Sequence, residues 1–238
     1  MRMMFGIIDP NDVQQAMLIM SPVLNDSGSF DMAILPMSYS PATMAREYRK
    51  IGETSVNGRA VDIYIHNERH HAVAIYGEPD DVNGDLRHVV VAKIDLKSRN
   101  SDDEAETILA VIGYYENLQP MNDHLAQVEG VIVTKRERNA NVASAMYKAL
   151  INDGIVLVSD NVQFPGGKAL WARMARKEVG IEIFVFDSEQ RTFWPYDGER
   201  IRYDGRSIPE SDIWSLAPNE SRKGVVLVAE RKRDGSAA

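Results

Sequence analysis

The sequence predicts an α/β fold, on three observations. Apolar and polar residues alternate from Val61 to Ile75 in two runs separated by a polar turn, the period of paired, half-buried strands. Residues Val131–Trp171 read as strand, loop, helix, strand, Gly-containing loop and helix. Two late apolar runs, IEIFVFD and KGVVLVAER, supply closing strands.

The elements follow in chain order. NDVQQAMLIM (Asn11–Met20) predicts a helix, capped by Asp9 or Asn11 with Pro10 near its start. SPATMAREYRKIG (Ser40–Gly52) predicts another, opened by Ser40-Pro41 and closed by Gly52. NDSGSFDMAILPMSY between them reads as loop with a short apolar piece. Val61, Ile63 and Ile65 form one strand, NERH a turn, and Val73 and Ile75 the returning strand. EPDDVNGD is a polar turn, after which Val90, Ala92, Ile94 and Leu96 mark a third strand.

SRNSDDEAE is a charged loop, and ETILAVIGYYEN fits either a buried strand or a helix. HLAQVEGVIVT is a strand with β-branched residues at its end. Asn139–Asp153 is a helix, since Val142, Met146, Ala149 and Leu150 fall at i, i+4, i+7 and i+8. IVLVSD is a short continuous apolar strand, which predicts a central place in the sheet. GGKALWARMARK is a helix with Leu170, Trp171 and Met174 on one face. RTFWPYDG, SDIWSLAPN and KGVVLVAER read as turns with one or two strands, and RKRDGSAA as a polar tail.

The 238 residues suit one domain: an N-terminal helical part (1–55), a core sheet with the strand–loop–helix run (56–187), and C-terminal strands with the tail (188–238). Apolar residues make up 44% and charged residues 26%, enough apolar content for a core without staples. The chain has no cysteine, which excludes disulfides, a thiol nucleophile and zinc-thiolate sites. MRMMFGIIDPND is too short an apolar start for a signal peptide, and no run is long enough to span a membrane. A cytoplasmic location is the expectation.

A net charge of −8 argues against general nucleic-acid binding, because phosphate neutralisation dominates such affinity. Positive charge is nevertheless clustered: Lys135, Arg136 and Arg138 in the loop before the helix, then Arg173, Arg176 and Lys177 on the next helix. Each cluster reads as a solvated face or, for the first, as a site for a small anion. The loop opens onto a helix N-terminus, where free N–H groups and the positive end of the dipole favour phosphate.

VTKRERNANVASAMYKALI resembles the acyl-CoA-binding motif of the GNAT superfamily of N-acetyltransferases, Arg/Gln-x-x-Gly-x-Gly/Ala between a strand and a helix. Arg138 holds the first position, Asn141 stands where the Gly belongs, and Ala143 holds the last. SDNVQFPGGKALWARM is similar to phage-encoded members, in which Ser-Asp, a Gln, Gly-Gly and Leu-Trp recur in that order. The likeness runs from Val131 to Asp187, about a quarter of the chain. It implies a mixed, mostly antiparallel sheet flanked by helices on both faces, with extra N-terminal helices and C-terminal strands.

The resemblance also implies acetyl-CoA, or another acyl-CoA, as donor. Its diphosphate would rest on the amides of Arg138, Asn139, Ala140, Asn141, Val142 and Ala143, with Asn141 tolerating the positive φ that the family's Gly adopts. The strands Gln127–Thr134 and Ile155–Ser159 would splay to admit the pantetheine arm, with the acyl carbonyl near the backbone of Ile132 and Val133. Direct transfer to an amine needs a base, for which Glu129 is the first candidate, ahead of Glu116 and His124. Many members place a proton-donating Tyr where this chain has Trp171, so Ser159 or a water would serve. The acceptor would be a protein lysine or N-terminus, a small amine or a modified nucleobase. A phage-encoded member would work in the host cytoplasm. The rival implications are a catalytically inactive phage accessory or host-interaction protein, and a nucleic-acid-modifying acyltransferase.

Two further features have their own readings. His66, His70 and His71, with Glu68 or Asp62, surround the hairpin turn without a defined metal-ligand spacing, and an exposed polar turn is the expectation. Trp194, Tyr196, Tyr203 and Trp214, with Arg200, Arg202 and Arg206, read as core aromatics or as a base-stacking surface.

Overall fold

Asn57 (φ 51°) and Gly58 (φ 78°) both take left-handed backbone and close a two-residue hairpin turn, the geometry that suits the twist of the strands beside it. The strands it joins are β3 (Tyr48–Val56) and β4 (Arg59–His66), the first long pair of the sheet. The computed structural model describes residues 23–24, 38–79, 86–98, 111, 124–160, 162–163, 165–214 and 225–232. The predicted helix at 11–20, nearly all of ETILAVIGYYEN and Glu116 lie outside the described residues.

Three short elements precede or flank this hairpin: β1 (Val23–Leu24), β2 (Ser38–Tyr39) and helix α1 (Pro41–Glu47). β5 (His71–Pro79) and β6 (Leu86–Ser98) follow, then β7 (Leu125–Val133), helix α2 (Val142–Asn152) and β8 (Val156–Val158). The remainder is β9 (Val162–Gln163), α3 (Pro165–Lys177), β10 (Ile181–Asp187), β11 (Thr192–Phe193), α4 (Glu210–Ile213) and β12 (Val225–Arg231).

The main sheet runs β11-β10-β12-β8-β7-β6-β5-β4-β3, with β2 added beside β6. All neighbours are antiparallel except β7 and β8, the parallel pair joined through α2. β1 and β9 form a separate parallel pair. The fold is thus α/β with a large, mostly antiparallel sheet and few helices among the described residues. The last strand is not at an edge; β12 inserts between β8 and β10.

Strand alternation builds a core on each face. Ile181, Ile183 and Val185 of β10 and Val225, Leu227 and Ala229 of β12 join α2 and α3 in the main core. Phe184, Phe186, Val226 and Val228 face the other way and pack with Leu125, Val158, Phe193 and Val111. Met44 of α1 covers Tyr48, Val73, Ile75 and Val90. The predicted stripe of α2 is buried as expected: Val142, Met146, Ala149 and Leu150 all lie in the core.

The structure corrects the N-terminal part. The helix expected over Ser40–Gly52 ends at Glu47, and Tyr48 begins a strand, so residues 1–55 are not a helical part over their described C-terminal portion. Ser40 caps as predicted, accepting the Thr43 N–H at 3.1 Å. Beyond Glu47 the backbone pairs with β4 from Tyr48↔His66 to Val56↔Arg59, and this ladder outweighs local helix propensity. The Asn57-Gly58 pair is a hairpin signal that the helix reading passed over.

Gly205 holds the C-terminal segment against α3. Its φ is +80°, and an added Cβ would lie 2.7 Å from the Ala172 carbonyl oxygen. Gly205→Ala therefore carries both a left-handed penalty and a backbone clash. We expect a loss of about 2 kcal/mol or more, read as a lower midpoint in urea at unchanged slope.

Candidate functional site

The loop after β7 folds on itself first. The amides of Glu137 and Arg138 donate to the Thr134 carbonyl at 3.0 and 3.1 Å, and that of Ala140 to the Glu137 carbonyl at 3.1 Å. The Thr134 hydroxyl donates to Glu137, whose carboxylate is buried. Asn139 (φ 74°) and Asn141 (φ 62°) are both left-handed, the conformation that Asn tolerates best after Gly. Asn141 is the cap residue of α2, and its side chain makes no capping bond.

This geometry corrects the donor set. Arg138 and Ala140 turn their amides inward, so they are not available to a ligand. No hydrogen bond among the described residues engages the amides of Asn139, Asn141, Val142 and Ala143. The Arg138 side chain reaches back, Nε donating to the Val133 carbonyl at 3.4 Å.

A second cation arrives from a distant part of the chain. Arg173 on α3 donates from Nη2 to Ser144 Oγ at 2.8 Å, in the first turn of α2. A guanidinium beside the positive end of a helix dipole is unfavourable by itself, by about 0.3–1 kcal/mol, and an anion seated there reverses the sign. In the sequence Arg173 reads only as part of a basic helix face, and no local signal marks its reach to α2.

The two strands beside the loop pair briefly and then part. β7 and β8 are bonded at Leu125↔Val156, Ala126↔Leu157 and Gln127↔Val158. β8 then ends, while β7 continues to Val133 with β6 on one flank and no described strand on the other. Gln127 marks the fork, its side-chain amide donating to the Ser159 carbonyl at 3.2 Å. Ile132 and Val133 lie past the fork, half-buried and paired with Lys93 and Ala92.

Glu129 also lies past the fork and is exposed. The β6–β7 register steps from Leu96↔Val128 to Asp95↔Gly130, leaving Glu129 as the extra, unpaired residue of a bulge. A bulge re-aims its side chain out of the pleat.

Ser159 has a different place from the one expected. It is fully buried, its amide and hydroxyl oxygen bonded to the carbonyl (2.8 Å) and amide (3.1 Å) of Leu227. Its own proton goes to the Asp160 carbonyl at 3.1 Å. The hydroxyl therefore couples β8 to β12, and no solvent-facing proton remains for catalysis. His124 sits before β7, with Nδ1 bonded to Arg69 Nη1 at 2.9 Å, at the end of the sheet remote from the loop.

Trp171 is fully buried and packs edge-on to Tyr147 of α2, with ring centroids 5.4 Å apart. Burial, with the nearby charge of Asp160, raises the Tyr147 phenol well above its usual range, so it stays protonated. The Ser-Asp, Gln and Gly-Gly positions form one packed turn. Gln163 Nε2 donates to the Asp160 carbonyl at 3.1 Å, and its Oε1 lies where a Cβ on Gly167 would stand.

Two of the four C-terminal aromatics are core. Tyr203 and Trp214 are 2% and 5% exposed, and Trp194 packs against the same cluster. Arg200 lies over the rings of Phe184 and Phe193 and pairs with buried Glu230 at 2.8 Å. Tyr203 and Trp214 are thus spent on the core, while Trp194 and Tyr196 are half-buried. At the β4–β5 turn, the His71 Nε2 and the Tyr48 hydroxyl share a hydrogen bond of 2.7 Å, and burial together with Lys93 lowers the His71 pKa to about 4.

Compared with models of known families, with curated proteins and with solved structures, the chain finds no match.

Proposed function

We propose that this protein is an acyl-CoA-dependent N-acyltransferase of GNAT-like fold, moving an acetyl group from acetyl-CoA to an amine. One observation carries the reading: a parallel strand pair opens beside an uncapped helix N-terminus whose entry turn has left-handed Asn139 and Asn141. The four amides without a hydrogen bond among the described residues, with Arg138 and Arg173, supply the donors and charge that a diphosphate requires. Val128–Val133 has no strand on its second flank among the described residues, which leaves that edge to an extended arm.

Acetyl-CoA supplies an activated thioester. Glu129, freed from the ladder by the bulge, takes the proton of the attacking amine. With the Ser159 hydroxyl committed to Leu227 and Asp160, a water is the remaining proton donor for the leaving sulfur.

Calorimetry with acetyl-CoA tests the reading. One equivalent binds to the native chain, and Arg138→Glu weakens it by reversing a charge at the loop. Asn141→Val should weaken binding at least about tenfold, since a β-branched residue at φ 62° carries about 1–2 kcal/mol or more of strain. No heat and no thermal shift at millimolar acetyl-CoA would instead favour an interaction protein without catalysis. Asn141 and Trp171, in place of the family's Gly and Tyr, motivate that second reading.

A further inference from the structure

The β4–β5 turn holds a group of side chains that the acyltransfer reading does not use. His66 ends β4, Glu68 and His70 lie in the turn, and β5 begins at His71. One ligand-capable atom from each of His66, Glu68 and His70 lies within 4.8 Å of the others. Glu68 Oε2 is 3.5 Å from His70 Nε2. The rings of His66 and His70 stack at 4.4 Å with 29° between their planes, so both imidazoles sit side by side next to the carboxylate.

We propose that His66, Glu68 and His70 form a binding site for a divalent transition-metal ion of the zinc class. Two imidazoles and one carboxylate suit Zn²⁺, Co²⁺ or Ni²⁺ and are a poor match for Mg²⁺ or Ca²⁺, which select oxygen. Three protein ligands leave a coordination position for water.

The backbone holds this turn in place before any ion arrives. Asn67 N–H donates to the Glu47 carbonyl at 2.8 Å, and its side-chain amide to the Arg46 carbonyl at 2.9 Å. Arg69 N–H closes the turn on the His66 carbonyl at 2.8 Å, and Leu96 N–H binds the His70 carbonyl at 2.9 Å. The turn is thereby tied to α1 on one side and β6 on the other. Its own cation is directed elsewhere, because Arg69 Nη1 bonds to His124.

The neighbours separate ligands from supports. His71 is stacked on His66 at 5.0 Å, but its Nε2 is taken by the Tyr48 hydroxyl. Asp62 is paired with Lys50 at 2.8 Å. Tyr48 stands edge-on to His66 at 5.2 Å and walls that side. One bond must yield: Glu68 N–H donates to His66 Nδ1 at 3.2 Å, and ligation through either ring nitrogen ends it. The site is independent of the acyl-CoA reading and survives its failure.

The test is titration of untagged, chelator-treated full chain with Zn²⁺ by calorimetry and with Co²⁺ by visible absorbance. The expected result is one equivalent per chain, a tetrahedral Co²⁺ band, and a thermal midpoint raised by Zn²⁺. His70→Ala and Glu68→Gln alter exposed side chains, so they keep the fold. Each should weaken Zn²⁺ at least about tenfold, the loss that even outer partners of a ligand cause. His88→Ala, on β6 away from the turn, should bind as the native chain does. Absence of saturable Zn²⁺ binding overturns the proposal, as does binding that persists unchanged in His70→Ala and Glu68→Gln.

Discussion

Glu129→Gln is expected to lower acetyl-transfer turnover by about 10²–10⁴-fold, the usual contribution of a positioned general base. The measurement is release of the CoA thiol with a panel of lysine peptides, free N-termini and polyamines as acceptors. Glutamine has the same shape and keeps the bulge between Leu96↔Val128 and Asp95↔Gly130, so the backbone should not move. Acetyl-CoA affinity should stay unchanged, because the residue lies by the fork and not at the loop that carries Asn139–Ala143. An amine must lose a proton as its N–C bond forms, and Glu129 is the exposed carboxylate on the strand that continues past the fork. Turnover in Glu129→Gln equal to the native rate would remove it as the base. A matched fall in acetyl-CoA affinity would make it a structural residue instead.

Trp171→Ala is expected to cost about 3–5 kcal/mol, the range for removing a large ring from a closed core. The side chain is fully buried and fills the junction of α2 and α3, edge-on to Tyr147 and in one cluster with Met146, Leu150 and Met174. Both helices border the candidate site, α2 through its first turn and α3 through Arg173. The loss should therefore appear as a lower urea midpoint and as weaker acetyl-CoA binding in the fraction that remains folded. Trp171→Phe separates area from polarity. The indole Nε1 is buried without a hydrogen-bond partner among the described residues, a cost of about 1–3 kcal/mol to the native state. Removing that donor offsets part of the lost area, so Trp171→Phe should destabilise by far less than Trp171→Ala. Equal losses in the two variants would mean that the indole nitrogen does have a partner.

Much of the candidate site was legible at the level of single elements. The period of Val142, Met146, Ala149 and Leu150 marked α2 and its buried face, and the loop before it was readable from the dense Arg and Asn. The tolerance of Asn for left-handed backbone pointed to Asn141, and the structure gives the same conformation to Asn139. Ser159 was misplaced as a proton donor because its role depends on Leu227, 68 residues away. Tyr48–Gly52 looked helical because Ser40-Pro41 opens a helix and Gly52 can close one; pairing with β4 claimed those residues instead.

Local pattern alone thus marked α2 and its buried face, the strands around Val61–Leu96 and the late strand IEIFVFD, and the absence of cysteine excludes thiol chemistry. The tertiary structure decided that β8 leaves β7 after three residue pairs, that Glu129 is squeezed out of the ladder, and that Arg173 meets the first turn of α2. It also brought ligand atoms of His66, Glu68 and His70, neighbours at one turn in the sequence, within 4.8 Å of one another. Periodicity and propensity are properties of neighbours in sequence, whereas register, bulges and long side-chain reaches follow from which distant strands and helices pack together.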